Sequence, residues 1–84
     1  MDKILLRADA NETIGLGHLY RLISIADMLK EKYECVFILN EFSIKSIIPS
    51  YYHFFVIPEK IDTYFEAQYI LENFPNVKTI IIDG

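Results

Sequence analysis

The sequence predicts an α/β fold with a parallel sheet. Three observations predict it. Four short apolar runs, KILLRA (residues 3–8), ECVFILN (34–40), FFVIP (54–58) and KTIIIDG (78–84), have strand length and carry β-branched residues. Segments between them place apolar residues at helical spacing. Strand and helix alternate throughout, and buried strands joined by helices make a parallel sheet covered on both faces. The arrangement is Rossmann-like, with KILLRA and KTIIID expected as adjacent inner strands.

Each element has its own justification. After the first strand, Leu19, Leu22, Ile23, Ala26, Leu29 and Tyr33 recur every three or four residues, which predicts a helix over 18–33. Arg21, Lys30 and Glu31 point away from that stripe. EFSIKSIIPSYY predicts a short helix around 41–47, stopped by Pro49. In the next helix Thr63 and Glu66 have capping-box spacing. Tyr64, Ala67, Leu71 and Phe74 supply its apolar stripe, and Pro75 ends it. The last strand brings Asp83 and Gly84 to a carboxyl end, where such sheets place their ligand loops. A domain of this kind is expected to continue into another helix, so the chain reads as the front part of a longer protein. A complete four-stranded sheet is the alternative.

The chain has 84 residues and a net charge of -4, enough for one small domain. Its 52% hydrophobic content is high for that size, so some apolar surface is expected to be covered by a second domain, a missing half or another copy. The acidic balance and scattered basic residues argue against nucleic acid and anionic membranes as partners. The amino terminus lacks a signal-peptide pattern, and no apolar run approaches a membrane span of roughly 18 residues. A cytoplasmic location is expected. Cys35 sits in an apolar run and reads as a small buried hydrophobe. No metal or cofactor is expected. His53 lies in a Tyr-rich loop and reads as structural.

The chemistry concentrates in IGLGHLYR, residues 14–21. A dinucleotide fingerprint starts its glycines directly after the first strand, whereas here residues 9–14 intervene. Its third glycine is replaced by Tyr20, which is expected to hold the helix off the strand. Glu41 alone matches, at the position of a ribose-binding acid. A phosphate loop fails because no Gly-Lys-Ser/Thr follows. Gly15 and Gly17 instead let the backbone turn and approach a ligand. The helix beginning near His18 then points its N–H groups at that ligand. The positive end of the helix dipole disfavours the protonated imidazole, as a general base requires. Arg21, one turn on, is placed to orient His18, hold an acidic partner or meet an anion. Asp9 and Asn11 face the same end of the sheet and suit the histidine's second nitrogen or sugar hydroxyls. The bland alternatives are a capping histidine, a solvated arginine and turn chemistry for Asp9 and Asn11.

The stretch RADANETIGLGHLYRLISIADML, residues 7–29, resembles the N-terminal signature of the pseudaminic-acid pathway nucleotide-sugar hydrolases, the UDP-2,4-diacetamido-2,4,6-trideoxy-β-L-altropyranose hydrolase family. It is similar also to related spore-coat polysaccharide proteins of the same glycosyltransferase-like group. The matching positions are Arg7, Asp9, Ile14, Gly15, Gly17, His18, Arg21 and Ala26. The resemblance implies the two-domain GT-B fold, with residues 1–84 as part of its N-terminal domain and the C-terminal nucleotide-binding domain absent. It implies metal-free release of UDP from a UDP-sugar substrate by water. His18 would handle the attacking water, and Asp9, Asn11 and Arg21 would shape the sugar side. Alone, such a chain is expected to be inactive for want of its nucleotide clamp. The competing expectation is a non-catalytic α/β module that packs on a partner or self-associates through exposed sheet surface; a dinucleotide-binding domain ranks lower.

Overall fold

The computed structural model describes residues 1–8, 16–40 and 46–83. It contains β1 (Asp2–Ala8), α1 (Gly17–Leu29), β2 (Tyr33–Leu39), β3 (His53–Val56), α2 (Glu66–Asn73) and β4 (Thr79–Asp83). The four strands form one sheet in the order β3-β2-β1-β4, and every neighbouring pair is parallel. The α/β expectation therefore holds, with a Rossmann-like parallel sheet.

Alternation along the strands divides the core in two. On one face Ile4, Leu6 and Ala8 of β1 meet Cys35, Phe37 and Leu39 of β2 under Leu19, Leu22 and Ala26 of α1. On the other face Leu5, Val36 and Ile38 pack under Ile70 of α2, with Ile57. Both central strands are thus buried on both sides, which is why they read as continuous apolar runs. A fully buried side chain such as Phe37 or Leu5 contributes roughly 1.5–3 kcal/mol relative to exposure. The crossover from β1 to β2 and the crossover from β3 to β4 run in opposite directions across the sheet. Their helices lie on opposite faces, so the two crossovers share one hand.

Several expectations change. β4 does lie beside β1, but it forms an edge of the described sheet rather than an inner strand. α1 ends at Leu29, and Tyr33 opens β2 instead of closing the helix. β3 begins at His53, so that residue starts a strand rather than sitting in a loop. Strand pairing fades after Val56, although the Ile57 N–H still donates to the Leu39 carbonyl at 2.8 Å.

The capping box and apolar stripe expected at α2 are replaced by another solution. Thr63–Phe65 forms a 3-10 turn, and α2 starts only at Glu66 with no side-chain cap. Asp62 accepts a hydrogen bond from the Tyr64 N–H at 2.8 Å and so braces the turn. Glu66 is drawn instead to Arg7. Tyr64, Ala67 and Leu71 are exposed; Ile70 is the buried residue of the helix, with Tyr69 and Phe74 beside it. The short helix expected at 41–47 falls mostly outside the described residues.

Candidate functional site

The chain order reverses at β1. β2 and β3 extend to one side of it and β4 lies on the other. Ligands of open α/β sheets bind outside the carboxyl ends of the strands at such a reversal. Here that point lies between the ends of β1 and β4, where Ala8 and Asp83 are register partners. α1 follows β1 in chain order and carries His18 and Arg21 in its first turns.

Of the residues singled out from sequence, the described structure places Gly17, His18, Arg21 and Asp83. Asp9, Asn11 and Gly15 lie outside the described residues, as does Glu41. His18 is half-buried and Arg21 is exposed. A separation of three residues sets them one helical turn apart. The Arg21 guanidinium donates from Nη2 to His18 Nδ1 at 3.0 Å. A guanidinium has only donors, so Nδ1 must accept. The ring is then neutral at Nδ1 and carries its proton on Nε2.

Leu16 precedes α1 without a side-chain cap, and no acidic residue occupies the first turn. A Cβ built at Gly17 would meet nothing within 4 Å among the described residues. Tyr20 is exposed on the outer face of α1, so it does not hold the helix away from β1. The dinucleotide fingerprint is still displaced by the intervening residues, but that steric objection falls.

A second group at the same edge lies on the opposite face of β1, and sequence reasoning missed it as a site. The Arg7 side chain is 9% exposed and its Nε donates to Glu66 Oε1 at the start of α2. A cleft of about 260 Å³ opens beside this pair, lined also by Asn40, Ile57, Glu59 and Ile61. The signal for it was an arginine inside an apolar strand. A charge there has to be paired when buried, but the strand alone does not say with what.

At the other end of the sheet, Tyr52 donates to Asp27 Oδ1 at 2.6 Å. Burial, then the Asp27 carboxylate, push the Tyr52 phenol well above its ordinary range. Cys35 is buried, and that burial pushes its thiol up, away from the reactive thiolate. Among the described residues, no cluster of three or more His, Cys, Asp or Glu side chains is arranged to hold a metal. No helix among them is long and apolar enough to cross a membrane.

No family model, curated protein or solved structure matches this chain.

Proposed function

We propose that the chain forms the sugar-side part of a nucleotide-sugar hydrolase with a GT-B architecture. It would act in the cytoplasm, in surface polysaccharide or nonulosonic acid biosynthesis. The reaction releases UDP from a UDP-linked amino sugar. Water attacks the anomeric carbon, the bond from that carbon to the β-phosphate oxygen breaks, and UDP leaves with the electron pair. The observation that carries this reading is the His18–Arg21 pair at the start of α1, beside the reversal point of the sheet. The motif resemblance over residues 7–29 supplies the substrate class.

The pair also constrains the chemistry. His18 takes a proton from water at Nε2 only if Nε2 is unprotonated. While Arg21 donates to Nδ1, the proton sits on Nε2. Arg21 therefore has to leave Nδ1 before His18 acts as base. The substrate's diphosphate is the group to draw it away, since charge-assisted bonds to phosphate are stronger than one to a neutral imidazole. The proton then moves to Nδ1 and Nε2 accepts from the attacking water. Arg21 is in this scheme a positioning residue that couples substrate binding to the state of the base.

The test is UDP release by the intact two-domain enzyme carrying this sequence. His18→Ala and His18→Gln should each lower kcat by roughly 10²–10⁴-fold, the usual worth of general base catalysis. Arg21→Lys should raise KM, and His53→Ala should change little. A His18→Ala enzyme turning over near the unmodified rate sinks the assignment. The second reading, a non-catalytic module, draws on the exposed Ile82 of edge strand β4; its test is association.

A further inference from the structure

We infer that the cleft beside Arg7 is a binding subsite for a neutral polyol, a single sugar ring held by its hydroxyls. The inference stands apart from the hydrolase reading. It concerns the opposite face of β1 and uses neither His18 nor Arg21.

The location is the first ground. Arg7 lies next to the end of β1, Asn40 follows β2 directly, and Glu59 follows β3. Three consecutive carboxyl ends thus converge on one cavity, at the edge where parallel sheets hold ligands. The volume, about 260 Å³, falls just below the usual range of roughly 300–1,000 Å³ for small-molecule pockets. It suits one ring rather than a whole nucleotide.

Charge selects the class. Among the described lining residues, Arg7 contributes one positive charge, and Glu59 and Glu66 contribute two negative ones. The balance is unfavourable for a phosphate. An ammonium group fares little better. Arg7 already neutralises Glu66 and would repel a second cation, which leaves Glu59 among the described lining residues. That carboxylate is exposed, and an exposed ion pair is worth little. A neutral polyol meets neither objection. The Asn40 carboxamide both donates and accepts, matching a hydroxyl that does the same. Glu59 accepts from a second hydroxyl. Ile57 and Ile61 give the C–H face of a ring an apolar wall. Arg7, fixed by Glu66 on α2, forms a rigid polar floor that needs no reordering when the ligand arrives.

The test is an amide NMR titration of the 84-residue chain with the methyl glycosides of glucose, galactose and mannose. Inorganic phosphate and ethylammonium serve as comparisons. At least one glycoside should give saturable shifts in the millimolar range at Asn40, Glu59, Ile61 and Glu66. Asn40→Ala should weaken that binding about five- to tenfold, the worth of one hydrogen bond. Glu59→Gln keeps the shape and should weaken it less. Both residues are exposed, so the variants should fold. His53→Ala, at the start of β3 and so at the far end of the sheet, should leave glycoside binding unchanged. The inference is overturned if no glycoside saturates, if phosphate or ethylammonium gives the same shifts more tightly, or if Asn40→Ala binds as tightly as the unmodified chain.

Discussion

At the scale of single residues, local pairs and distant pairs behave differently. His18 and Arg21 were legible in the sequence because three positions on a helix fix their proximity. What the sequence left open was the nitrogen involved, and the structure supplies it: Nδ1 accepts from Arg21. Arg7 and Glu66 are 59 positions apart, and no local rule joins them. Glu66 also had a competing local partner in Thr63. The buried guanidinium prevails because a buried charge without its counter-charge costs several kcal/mol, whereas a cap is worth about 1 kcal/mol. Tyr52 and Asp27 form another distant pair, and it makes stability depend on pH. The phenol's folded pKa is raised above its ordinary value of 10.0 by burial and by the carboxylate. Below pH 10 both folded and unfolded chains keep the proton, and the contribution is fully present. Above it the unfolded chain releases the proton first, so this contribution is lost as pH rises from about 10 towards the folded value. Urea unfolding at pH 7 should show Tyr52→Phe about 1–2 kcal/mol less stable. The gap between the two proteins should narrow above pH 10. A gap that is constant with pH would separate the phenol from this role.

At the scale of elements, the central strands and α1 follow from composition. Their apolar residues allow only one arrangement: unbroken runs for β1 and β2, and one clear stripe on α1. α2 was harder. Its segment holds Tyr64, Phe65, Tyr69, Ile70, Leu71 and Phe74, which can be sorted into two stripes one residue apart. The Thr63–Phe65 turn decides between them. A 3-10 turn advances about 120° per residue against roughly 100° for an α-helix, so Tyr64 falls out of phase with the residues of α2. Glu66, held by Arg7, then sets the inward face, and Ile70 lies one turn further along it. Substitution separates the two phases. Ile70→Ala should cost about 2–4 kcal/mol, as for a buried aliphatic side chain. Leu71→Ala, at a position 51% exposed, should stay within about 0.5 kcal/mol. Equal costs from thermal or urea unfolding would mean that α2 docks in the other phase.

At the scale of the whole molecule, the sequence places β4 beside β1 in a parallel sheet, as observed, but as an inner strand rather than at an edge. Strand order depends on which way each crossover turns, and that is decided by how helices cover the faces rather than by any one segment. The result puts the most uniformly aliphatic strand, TIIID, at an edge of the described sheet. Ile82 there is 72% exposed on the α2 face. The outer side of an edge strand presents backbone donors and acceptors to any strand that approaches, and proteins usually blunt such edges with charge, proline or a bulge. Between Thr79 and Asp83 none of these interrupts the isoleucines. The chain should therefore self-associate through β4. Its net charge of -4 opposes close approach of two copies, so added salt should strengthen association by screening that repulsion. Sedimentation velocity over a concentration series should show the average sedimentation coefficient rising with protein and with salt. Ile82→Lys places a charge on the edge strand at an exposed position, and it should shift the chain to monomer while leaving its thermal unfolding nearly unchanged. A wild-type chain that stays monomeric at high concentration and high salt would rule out this edge as an association surface. An Ile82→Lys chain that associates as strongly as wild type would place the contact away from Ile82.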